Sequence, residues 1–140
     1  MINISKISNL IYNARGRAKN AITSAFSLML VRVYFIILVL LNTSLWVLSR
    51  FVVKTIGEPM IALHYSVDFG INLYGNANNI FIIPLLGFIF IFINFSIIIS
   101  ISRYNQLELK FISHLLLASA VIANIILMAA LISIFIVNFR

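Results

Sequence analysis

The chain has 140 residues, 63% hydrophobic and 9% charged, with a mean hydropathy of +1.14. A soluble domain carries about a quarter charged residues, so this chain lacks the polar side chains to cover an apolar surface in water, and part of its solvent must be lipid. Ten Lys and Arg stand against three acids, but they sit at the edges of apolar segments rather than in a patch, which argues for lipid headgroups and against nucleic acid. With no cysteine, disulfides, thiolate zinc sites and cysteine catalysis are excluded.

Residues 1–27 read as a basic amphipathic segment. Ile4, Ile7, Ile11, Ala14, Ala18, Ile22 and Ala25 recur at steps of three and four, an apolar helical stripe. Lys6, Arg15, Arg17 and Lys19, with Arg32 beyond, supply cations for lipid phosphates, as on a helix lying in the membrane interface. A loose basic tail and an organellar transit peptide are the competing readings.

The remainder, 28–140, reads as one three-span membrane domain, an all-α fold with spans at about 33–50, 80–102 and 111–139. The first uncharged run is bounded by Arg32 and Arg50, roughly 27 Å apart along a helix. The second and third runs are about 35 and 43 Å long, against a hydrocarbon core of about 30 Å. None holds an interior Asp, Glu, Lys or Arg. Pro84 falls in the first turn of the second helix, where a missing N–H costs little. Tyr34 and Trp46 flank the first span, Tyr74 and Tyr104 the second. Phe81, Phe88, Phe90, Phe92 and Phe95 serve as lipid-facing or packing bulk.

Seven cations precede the first span or join the second to the third, and three lie on the other side. The positive-inside rule then places the N-terminus in the cytoplasm and the C-terminus outside.

Residues 51–79 form the external loop. From Ile61 to Leu73 every odd position is apolar, the period of extended chain with one face buried. Asp68 and Gly70 offer a turn, so a short β-hairpin is expected at 60–74. Such a hairpin is marginal alone in water, so its apolar face must lie on the membrane, the helix ends or another protein. The candidate interaction residues are Pro59, His64, Tyr65, Asp68, Gly70, Tyr74 and Gly75.

The run Glu58-Pro59, Leu63-His64-Tyr65, Gly70, Tyr74-Gly75, then Pro84 at the start of a span, resembles the first helical hairpin of SdpI-type immunity proteins, and also small three-span uncharacterised proteins of uncultivated bacterial lineages. The resemblance covers residues 45–95. Ala62 stands where that family has its second proline and Asn76 where it has lysine. It implies an extracytoplasmic loop on a bacterial plasma-membrane hairpin, with an organellar inner membrane as the alternative, and names no reaction.

His64 and Asp68 suggest a metal or proton-shuttling pair, but zinc needs three or four protein ligands and the loop adds only Glu58. A hydrogen bond that structures the loop is the simpler role for His64. His114, at the start of the third span, suits an interfacial anchor beside Lys110 or a helix-to-helix hydrogen bond. No catalytic residue, metal or cofactor is assigned, and an enzyme is not expected.

Asn42, Asn94 and Asn124 fall one per span. Amides in hydrocarbon need partners, so at least two should face each other across the bundle, unless each bonds back to its own helix. Ser119 with Ala123, and Ala129 with Ser133, are small pairs four apart that permit close helix packing. The function expected is a non-catalytic structural or accessory subunit docking on other membrane proteins or on itself. The alternatives are an immunity or signalling protein sensing an external peptide through 58–76 and, more distantly, a small transporter.

Overall fold

The computed structural model describes the backbone of residues 4–66, 70–102 and 106–139, and side chains at 12–13, 15–63, 70, 73–102 and 107–139. Helix α1 (Ile4–Ser27) leads into α2 (Met29–Ile56). The hairpin strands β1 (Met60–Ser66) and β2 (Gly70–Asn76) follow, then a 3₁₀ turn (Ala77–Phe81) continuous with α3 (Ile82–Ile101), and finally α4 (Gln106–Asn138). Three helical stretches, 29–56, 77–101 and 107–138, are long and apolar enough to cross a membrane. All three exceed the predicted spans at one end or both, because a helix continues past the hydrocarbon boundary until a capping signal stops it. For α2 that signal is Gly57, whose N–H bonds the Val53 carbonyl.

Each span buries a narrow stripe at alternating steps of three and four. In α2 it is Val31, Leu38, Asn42, Leu45, Ser49 and Val52. In α3 it runs through Pro84, Gly87, Ile91, Asn94 and Ile98, with Phe95 alongside. In α4 it is Leu109, Ser113, Leu117, Ala120, Asn124 and Leu131. That spacing is the seam of helices crossing at about 20°, the commonest geometry of membrane bundles. α4 packs on both α2 and α3, and these two touch each other less.

The predicted small pairs are not in these seams. Ser119, Ala129 and Ser133 are exposed and Ala123 only half-buried. Close approach is supplied instead by Gly87, on the α3 face turned to both neighbours. A Cβ built there would lie 2.7 Å from Asn124 Oδ1 and 2.8 Å from Asn42 Nδ2. Gly87 thus sits between two apolar clusters. One gathers Leu38, Ile91, Ile98, Leu117 and Ala120; the other gathers Leu45, Val52, Ile61, Ile80 and Leu131.

The predicted N-terminal helix is present; of its expected stripe the side chains of Ile4, Ile7, Ile11 and Ala14 lie outside the described residues, and the remaining three divide. Ala21 and Ala25 are buried, while Ile22 and Ala18 are exposed. The last turns of α1 join the core rather than standing apart. Ser24 Oγ donates to the Ser102 carbonyl at the end of α3 (3.1 Å). Phe26, Phe35 and Phe95, one from each of three helices, pack with centroids 5.5–5.9 Å apart. The chain turns at Leu28, whose extended backbone (φ −73°, ψ 120°) separates α1 from α2.

Replacing Gly87 by Ala should lower stability by about 1–3 kcal/mol through overpacking, read as a fall in the thermal midpoint in detergent. Ala at exposed Gly16, where an added Cβ meets nothing, should not destabilise. An unchanged midpoint for Gly87→Ala would contradict the close approach.

Candidate functional site

The expected hairpin forms as an antiparallel pair with Met60 opposite Asn76 and Ser66 opposite Gly70. Gly70 takes φ 70°, a conformation that costs a side-chain-bearing residue energy and glycine little. The base is closed by the Ala77 N–H on the Pro59 carbonyl (3.1 Å), and Asn76 Oδ1 caps the following turn through the Asn78 N–H (2.8 Å). Asn76 is one of the positions departing from the resembled family, and its amide has this local work.

The strict two-residue alternation does not survive. Register shifts flank His64, leaving Leu63 unpaired; Ile61 and Ala62 are both buried, Leu63 is half-buried and Leu73 is 53% exposed. The cause is a side chain that the sequence reading passed over. Asn138, in the last turn of α4, accepts the Ala62 N–H at Oδ1 (2.8 Å) and donates from Nδ2 to the Ala62 carbonyl (2.8 Å). Nδ2 also reaches the Ile134 carbonyl (2.8 Å). The amide acts as a one-residue strand on the outer edge of β1, satisfying groups an edge leaves open. Holding Ala62 against α4 while Ile61 enters the core forces two successive residues inward, which a regular strand cannot do without a bulge. The signal was an Asn closing an otherwise apolar segment.

The hairpin thus presents one apolar face inward and another outward. Met60, Leu73 and Tyr74 are all more than half exposed. Pro59 is exposed, and Gly75 packs against Leu63 and Asn79. Asp68 and the side chains of His64 and Tyr65 lie outside the described residues, so the proposed His64–Asp68 pair does too. Among the described residues no three His, Asp or Glu converge on a metal position.

The three asparagines use both kinds of partner considered for them. Asn42 Nδ2 donates across the bundle to the Pro84 carbonyl (3.0 Å). Asn94 Nδ2 and Asn124 Nδ2 bond back to Phe90 and Ala120 of their own helices (2.8 and 2.9 Å). Asn42 Nδ2 and Asn124 Oδ1 both approach the open face of Gly87; Asn94 lies two turns further along α3. Asn124 Oδ1, Ser49 Oγ and Ser113 Oγ are buried without a hydrogen-bond partner.

At the opposite end of α4, Tyr34 Oη and His114 Nδ1 lie 3.1 Å apart, their rings edge to face, so the helix-to-helix bond considered for His114 is present and links α2 to α4. His114 is about 36 Å along α4 from the Asn138 that holds β1, too far for both histidines to share a site. Arg15, Arg17, Lys19 and Arg32 are exposed, with Arg17 Nε donating to the Asn13 carbonyl (3.3 Å); the Lys6 side chain lies outside the described set.

Replacing Asn138 with Leu removes both bonds to Ala62 and should cost about 1–3 kcal/mol, with faster amide exchange confined first to residues 60–76; unchanged exchange there would refute the clamp. Leu at Asn94 and at Asn124 should destabilise additively, since each bonds its own helix, and a coupling energy above about 0.5 kcal/mol would show otherwise.

Comparison with models of known protein families, with curated proteins and with solved structures finds no match for this chain.

Proposed function

We propose that the chain is a non-catalytic, multi-pass membrane protein that acts as a structural or accessory subunit, docking on other membrane proteins or on a second copy. In this reading α1 lies at the membrane surface with its cations on lipid phosphates, the N-terminus is cytoplasmic and the hairpin faces outward. The supporting observation is how little of the spanning surface the chain covers for itself. Only 28%, 33% and 17% of the most apolar windows of the three helical stretches are buried internally. Lipid can cover the rest of the spans, and in this reading the hairpin lies beyond them. There Met60, Leu73 and Tyr74 are each more than half exposed, on strands anchored by the Asn138 amide. Exposed apolar side chains on an anchored hairpin fit a protein partner.

The same exposed residues support the rival reading, an immunity or signalling protein in which residues 58–76 bind an external peptide. The two differ in what stays attached. Gentle detergent extraction followed by native mass measurement should find the chain with a companion or a second copy. Serine at both Leu73 and Tyr74 should reduce that association without altering membrane insertion. A monomer free of companions would overturn the subunit reading, and loss of peptide resistance in the same variant would favour the rival.

A further inference from the structure

Where α1 turns into α2, a cleft of about 700 Å³ opens between the start of α2 and the start of α4. A smaller hollow of about 340 Å³ adjoins it and shares Leu30, Lys110 and His114. The larger cleft is lined by an apolar strip of α2, Met29, Val33 and Ile37, and beside it by three polar side chains, Tyr34, Lys110 and His114. From Met29 to Ile37 is about 12 Å along the helix, close to the roughly 15 Å depth of one bilayer leaflet. Lys110 is exposed and carries no ion pair among the described residues. Glu108, the acid on this helix, is two residues away and so points to a different side; it does not line the cleft. Tyr34 occupies Nδ1 of His114, which leaves Nε2 as the ring nitrogen available to a ligand. Arg32, at the same end of the bundle, adds to the positive potential.

We propose that this cleft seats one anionic phospholipid, its acyl chain along Met29, Val33 and Ile37 and its phosphate at Lys110 and His114. Charge complementarity selects this occupant, since Lys110 is the one charged side chain lining the cleft and a zwitterionic headgroup would bring an ammonium beside it with no acid there to receive it. The inference rests on α2–α4 spanning a membrane and is independent of the partner reading. The Tyr34–His114 contact is a positioning element, holding the imidazole at the rim instead of along the helix surface.

The test uses the full chain in detergent, incubated with phosphatidylglycerol or with phosphatidylcholine of the same acyl length, with bound lipid counted by native mass spectrometry. One phosphatidylglycerol should be retained in preference to phosphatidylcholine. Lys110→Gln should weaken its retention about fivefold, the contribution of one basic residue near an anionic headgroup. Lys54→Gln, at the other end of α2, should leave it unchanged, and Val33→Trp should weaken both lipids by filling the acyl path. Inorganic phosphate should not displace the lipid; displacement would mean an anion site with no acyl seat. Equal retention of the two lipids, no retention by a chain that elutes as a folded species, or indifference to Lys110→Gln would each overturn the proposal.

Discussion

Hydrocarbon offers no hydrogen-bond partner, so a polar group inside a membrane-spanning bundle pairs within the protein or stays unsatisfied, as Asn124 Oδ1, Ser49 Oγ and Ser113 Oγ do. In this chain that constraint meets at Gly87. The missing side chain leaves room for the amides of Asn42 and Asn124 to enter from opposite helices. Asn42 can then bond the Pro84 carbonyl, whose N-terminal neighbours lead back into the hairpin. This bond holds α2 and α3 in register, since sliding one past the other by a turn would strand the Asn42 amide among aliphatic side chains.

The second organising contact is the Asn138 amide on Ala62. A two-stranded sheet has two open edges and too little core to stand alone. Here one edge is partly closed by a side chain from the last helical turn, and one face is anchored through Ile61 to Leu45, Val52 and Leu131. The hairpin becomes an extension of the bundle end. Its outward residues therefore occupy fixed positions, which a tethered loop would not give them.

The two ends of the molecule differ in chemistry. At the hairpin end Met60, Leu73 and Tyr74 are exposed. At the end where α1 meets α2, an apolar cleft is flanked by Lys110, His114 and Tyr34, the seat proposed above for an amphipathic anion. The aromatic trio of Phe26, Phe35 and Phe95 ties α1 to the bundle beside that end.

Three spanning helices, a basic N-terminal helix and a hairpin between the first two spans were all legible in the residues, because uncharged length, charge position and two-residue alternation depend only on local sequence. Which face of each span turns inward was not. In water a core face is apolar against a polar exterior, but in lipid both faces are apolar, so Phe88 and Phe92 outside look like Ile91 and Phe95 inside. The interior is marked by the small and polar residues, Asn42, Ser49, Gly87, Asn94, Ser113, Ala120 and Asn124, of which the asparagines alone stood out in advance. Packing decided the rest. It chose Gly87 over the Ser119–Ala123 and Ala129–Ser133 pairs, joined Asn42 to α3 while returning Asn94 to its own helix, and brought Asn138 to a strand 76 residues earlier. Such contacts depend on which turn of one helix lies beside which turn of another, and no local pattern along the chain encodes that pairing.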